Sequence, residues 1–337
     1  MDSLTQLALG AAVGEATAGR QLGRRAVLWG AICGTLPDLD VFVPLGDAVR
    51  DFTYHRSASH SLFVLAALTP LVAWMIVRIH PETVAHRRRW FALVYLVFAT
   101  HVLLDSFTVY GTQILWPFVT TPMAWSTIFI IDPLYTVPLL VGVLAALIAA
   151  RRWSWGHTAN TVGLVLSTGY LAWTLGAKLH VEHVARNSLI NQDMATTRVL
   201  TTPMPFNSLL WRILAVDDNR YYDRYYEGFY SLLDGADPVE YASRPRKLEL
   251  LEPLRDSWAV QRLQWFTKEF YAADSIDGDV VMTDLRMGFE SEYVFRFKVG
   301  EMGNPHPHPA PVERVPGIRS FERLQWVWAR IWDPQAR

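Results

Sequence analysis

Hydrophobic positions in the first half of the chain come in long unbroken runs, at 61–79, 90–110, 127–150 and 158–177. Runs of that length predict membrane-crossing helices, because a bilayer core of about 30 Å takes about 20 apolar residues. Two shorter runs, 4–19 and 25–43, come first, and in and between them Gly10, Gly14, Gly19, Gly23, Gly30 and Gly34 recur at intervals of about one helical turn. Small residues so spaced let membrane helices approach closely, so 4–43 is read as a tight helical hairpin. A re-entrant first segment is the alternative, since the run is short and contains Glu15.

Beyond Lys178 the pattern changes. The stretches Asp279–Leu285 and Glu292–Val299 are rich in β-branched and aromatic residues, partly alternating, and predict strands. Asn207–Val216 and Arg255–Tyr271 are ambiguous, the second having helical features. Residues 303–316 are proline-rich and read as a loop. In the tail, Ile318, Phe321, Leu324, Trp328 and Ile331 fall at helical spacing, predicting an amphipathic helix that packs on the domain or lies on a membrane surface. The expected fold is therefore an α-helical integral membrane bundle of about six spans over 1–178, then a β-rich (α+β) extramembrane domain over 179–337.

Charge sharpens that division. Residues 1–178 hold 12 Lys/Arg and 9 Asp/Glu, whereas 179–337 hold 19 and 23. A net charge of −1 with no long basic block argues against a nucleic-acid partner. A single cysteine, Cys33, rules out an internal disulfide, and Met1–Gln6 lacks the basic start of a cleaved signal peptide. Arginines cluster at 20–25, 78–89 and 151–152, on alternate connections. By the positive-inside rule these face the cytoplasm, which puts the connections 44–60 and 111–126, and the C-terminal domain, on the outer side.

Within that topology the polar residues of the membrane half converge. His101 and Asp105, four apart in an apolar run, share one helix face, separated by about 6 Å along the axis. Ionisable groups there are expensive and suggest a functional site. Asp38 and Asp40 close the second run, His55 and His60 precede the third, and Asp132 opens the fifth, all towards the outer side. Imidazole and carboxylate donors together suit Zn²⁺, Mn²⁺ or Fe²⁺. Seven donors exceed the need of one tetrahedral ion, so either two ions bind or some donors, such as Asp40 or Asp132, serve catalysis. A metal that activates water implies hydrolysis. Taken singly the residues have plainer readings: Asp38 as a helix terminator beside Pro37, Asp132 as a turn residue before Pro133. His157 lies towards the arginine-rich end and is expected outside the cluster.

Met1-Asp-Ser-Leu-Thr-Gln6, Pro37-Asp-Leu-Asp40, His55-Arg-Ser-Ala-Ser-His-Ser61, His101-Val-Leu-Leu-Asp105 and Tyr110-Gly-Thr-Gln113, in this order, resemble the YdjM-type bacterial inner-membrane proteins, described as predicted membrane-bound metal-dependent hydrolases. A Thr-His pair common near the start of that family is Thr5-Gln6 here. The resemblance implies metal-binding roles for Asp38, Asp40, His55, His60, His101 and Asp105, with a divalent ion such as zinc or manganese. It also implies a bacterial inner-membrane location, but it names no substrate. The first functional reading is a metal-dependent hydrolase acting at the outer face of the membrane on a lipid or other amphiphilic ester or phosphoester. Two other readings compete. A transporter would use the cluster as a pathway, but its polar residues would run through the midplane rather than gather at one end. A non-enzymatic sensor or scaffold would hold a structural metal with every coordination position filled by protein.

Overall fold

The computed structural model describes residues 1–149, 155–194, 198–217, 223–235, 239–317 and 320–336. Its helices are α1 (Ser3–Leu22), α2 (Arg24–Thr35), α3 (Ala48–Tyr54), α4 (Leu62–Ile79), α5 (Arg87–Ser106), α6 (Pro133–Ala149), α7 (Trp155–Asn191), α8 (Trp258–Thr267) and α9 (Phe321–Trp332). The strands are β1 (Arg198–Pro203), β2 (Leu210–Val216), β3 (Arg224–Ser231), β4 (Tyr241–Pro245), β5 (Tyr271–Ile276), β6 (Asp279–Asp284), β7 (Arg296–Glu301) and β8 (His308–Val315). The chain divides into two compact units, Met1–Val43 with His55–Leu175, and Pro44–Tyr54 with Gly176–Arg337.

The first unit is helical. α1 and α2 form the expected hairpin, turning at Gly23 with φ 61°. The glycine spacing is what lets them touch: a Cβ added to Gly10 would strike the Gly30 carbonyl, and one on Gly14 would sit 3.0 Å from the Gly30 Cα. α4 and the continuous stretch Pro81–Ser106 that ends in α5 are long and apolar enough to cross a membrane, while α6 is apolar but shorter. The 12 residues of α2 rise only about 18 Å, short of a hydrocarbon core. Trp90, Leu93, Phe98 and Ile76 form the buried centre of this bundle. Arg25 pairs with Glu82 at 2.7 Å and Arg24 donates to the Leu147 carbonyl at 3.0 Å, which gathers the basic connections at one end. Arg151 and Arg152 lie outside the described residues.

The second unit holds two four-stranded antiparallel sheets, in the orders β1-β2-β3-β4 and β5-β6-β7-β8. The ambiguous stretches resolve into β2 and α8. The proline-rich loop is instead largely strand β8. It lies at the edge of its sheet, where Pro309 and Pro311 need donate nothing to a ladder. Arg212 on β2 ties the sheets together, bonding Glu227 at 2.6 Å and the Leu285 carbonyl at 2.6 Å. α9 packs on β2 and β3 through Val327 and Ile331, leaving Trp328 and Trp332 exposed; Ile318 lies outside the described residues. α3 also belongs here. Phe52 meets the rings of Phe266, Phe295 and Phe297 at 4.8, 4.5 and 5.1 Å, and Arg262 donates to Thr53 Oγ1 at 2.9 Å.

Candidate metal centre

α5 presents His101 and Asp105 on one buried face, as their spacing requires. Three other segments meet that face. α2 brings the Gly34 carbonyl, which accepts from His101 Nδ1 at 2.7 Å. A 3-10 turn started by Pro37 carries Asp38 and Asp40. A second, Ala58–His60, delivers His60 just before Ser61 caps α4.

Asp38, His60, His101 and Asp105 converge, with one donor atom from each lying within 4.8 Å of the others. His60 Nε2 is 3.3 Å from Asp38 Oδ1, 3.2 Å from Asp105 Oδ2 and 3.3 Å from His101 Nε2. His101 Nε2 is 3.7 Å from Asp38 Oδ1 and 3.5 Å from Asp105 Oδ2. A tetrahedron with bonds of about 2.0–2.1 Å to a central ion has edges of about 3.4 Å, and the five edges that run from the two histidines, at 3.2–3.7 Å, are close to it.

The protonation pattern fits as well. His101 Nδ1 faces a carbonyl and must carry its proton, so Nε2 presents a lone pair. Ser59 Oγ gives its hydrogen to Asp40 Oδ2 at 2.5 Å and therefore accepts from His60 Nδ1 at 2.9 Å, which turns the His60 Nε2 lone pair inwards too. Two lone pairs aimed at one spot repel unless a cation lies between them. Asp105 Oδ2, buried with no hydrogen-bond partner among the described residues, faces the same spot. These residues have the donors, spacing and burial to hold a metal ion.

Asp40 and His55 lie beside the four and pair with each other, Asp40 Oδ1 to His55 Nδ1 at 2.8 Å. Asp132 is not in the cluster. Its Oδ1 accepts from the Leu134 amide at 3.0 Å and its Oδ2 from Tyr170 at 2.7 Å, so it caps α6. His157 lies outside the cluster, as expected, but it has a partner: its Nδ1 is 3.1 Å from the buried Glu15, which also accepts from Asn160 at 2.8 Å.

Sequence reasoning passed over the groups around Asp105 Oδ1. Gln6 Nε2 donates to it at 3.0 Å, Arg56 Nη2 lies at 3.3 Å, and the Met1 amine touches it. Arg56, Ser59 and Gln6 all stand inside the motifs that carry the family resemblance, but none is a histidine or an acid, the residue types that mark a metal site in a sequence.

No curated protein and no solved structure matches the chain. A protein-family comparison matches residues 1–181, more than half of it, to the YdjM inner membrane protein family. Four motif segments that carried the resemblance also supply the buried Asp/His group and its supports, and the chain belongs to the YdjM inner membrane protein family.

Proposed function

We propose that this protein is a membrane-bound hydrolase dependent on a divalent metal, zinc or manganese, held by Asp38, His60, His101 and Asp105. The observation that carries the reading is the pair of imidazole Nε2 lone pairs 3.3 Å apart, with two carboxylates completing the set. A bound ion of this kind lowers the pKa of water to about 7 and polarises the bond to be cleaved. The chain supplies the rest. Gly34 and Ser59 fix the imidazole tautomers. His55, steadied at Nδ1 by Asp40 and only partly buried, offers Nε2 to take the proton of the attacking water and return it to the leaving group.

We place the site at the outer face of the bacterial inner membrane, within a bundle of about six crossings. Residues 44–54 and 176–337 form one compact unit, so they share one side of any membrane the chain spans. That requires an even number of crossings between them, which α4, α5, α6 and the first part of α7 supply. Whether the α1/α2 hairpin crosses fully or re-enters, Met1 and Pro44 lie on the same side. The arginine-rich connections then face the cytoplasm.

A structural metal site is the second reading, and one observation favours it: four protein donors already fill a tetrahedron. Metal analysis of the purified full chain, paired with a panel of ester and phosphoester substrates, separates the two. Stoichiometric metal with turnover that chelation abolishes supports the hydrolase. Stoichiometric metal without turnover on any member supports the structural site, and no metal sinks both.

A further inference from the structure

Arg56 poses a problem for a site that only holds a cation. The residue is buried, 4% exposed, and its guanidinium lies 3.3 Å from Asp105. A positive charge there weakens the pull of Asp105 on a metal ion. Its Nε is buried without a hydrogen-bond partner among the described residues, although Nη1 reaches Thr108 Oγ1 at 3.4 Å and the guanidinium lies over Tyr110 at 5.2 Å. The backbone carries it at φ 61°, a left-handed conformation that a residue with a Cβ adopts at a cost and that gathers at functional sites. A fixed planar donor beside a metal group suits a phosphoryl group, which needs charge and several hydrogen bonds at once.

The neighbouring 3-10 turn adds a second requirement. Asp38 and Asp40 turn inwards from it, while Leu39, Val41, Phe42 and Val43 are exposed, Val41 at 65% and Phe42 at 79%. Four large apolar side chains within five positions would be costly in water. They follow directly on a helix of the membrane unit, so the surroundings that suit them are acyl chains. Asp38, a fifth exposed, is the one member of the metal group that opens outwards, and it sits on this same turn.

We infer that the substrate is a phosphoester lipid drawn from the outer leaflet, its acyl chains resting on Leu39, Val41, Phe42 and Val43 and its phosphoryl group held by Arg56. This rests on the hydrolase reading for the reaction but not for the binding. In the reaction the oxygen of water bonds to phosphorus, the bond from phosphorus to the departing alcohol oxygen breaks, and that oxygen takes up the proton. No other co-reactant is needed.

The test uses the full chain in neutral detergent micelles, loaded with Mn²⁺ or Zn²⁺, and measures binding of phosphatidic acid, diacylglycerol of the same chain length, and inorganic phosphate. The expected preference for phosphatidic acid over diacylglycerol is about tenfold or more, the scale of a charge-assisted Arg–phosphate pair. Arg56→Lys keeps the charge but not the planar fork, so it should erase most of that preference with metal content unchanged. Val41→Ser and Phe42→Ser should weaken both lipids several-fold and leave inorganic phosphate alone. Equal binding of the two lipids by the parent protein, or a preference that survives Arg56→Lys, overturns the inference. So does phosphatidic acid binding that ignores the serine variants, which points to a soluble phosphoester. Should lipid binding behave as expected while no substrate turns over, the hydrolase reading fails alone. Turnover of neutral esters that Arg56→Lys leaves intact sinks only the present inference.

Discussion

The Nε2 atoms of His60 and His101 face each other at 3.3 Å while Ser59 and Gly34 engage the opposite nitrogen of each ring. Without a cation this arrangement is held only by protonating one ring, so metal and protons compete for it. Metal retained by the purified protein should therefore fall as pH drops through the imidazole range, and chelation should act faster at low pH. Metal content measured after dialysis at several pH values checks this; retention independent of pH would exclude histidine ligation.

Asp105→Asn keeps the shape of the side chain and removes its charge. Metal content should fall by more than about tenfold, since even an indirect support of a ligand is worth about 10–100-fold. His157→Ala should leave metal content unchanged. It is not a silent control for stability, however, because Glu15 loses a partner and the bundle should weaken by about 1–3 kcal/mol. Metal analysis together with thermal melts separates the two effects.

In the second unit, Arg212 is buried against Glu227. Arg212→Ala should destabilise the unit by about 3–5 kcal/mol by stranding the carboxylate, and replacing both residues with apolar ones should cost much less. Equilibrium unfolding of the single and double variants gives the comparison. Additive losses would show that the two do not act as a pair.

Under the topology proposed above, reporters fused at Lys178 and at the C-terminus should both read as external. A cytoplasmic signal at either overturns the orientation proposed for the site.

Much of the site was legible because its determinants are local. The four-residue interval between His101 and Asp105 already states a shared face, and the glycine intervals state a close helix pair. Pro37 marks where α2 stops and its acids turn in. Other features were hidden because local chemistry is ambiguous or partners are remote. An aspartate before proline serves equally as cap or catalyst, and only Tyr170 and the Leu134 amide make Asp132 a cap. The prolines of β8 read as loop until the strand's place at a sheet edge is known. Arg56 looks like a surface charge until Asp105 is set beside it. Thr53 bonds Arg262 across 209 positions of sequence, and no periodicity announces that.

That last contact changes what may be cut. Because Phe52 completes an aromatic core built from Phe266, Phe295 and Phe297, no single peptide bond separates the two units. Truncation after the family-matched region would strip α3 of its surroundings and free the loop whose ends carry Asp40 and His55. Phe52→Ala in the full chain, costing about 3–5 kcal/mol, should likewise raise hydrogen exchange in α8 and β7 and loosen the Asp40–His55 pair. Residues 44–54 thus belong by packing to the second unit although they interrupt the first in sequence, and a cut that respects the chain order cannot respect the packing.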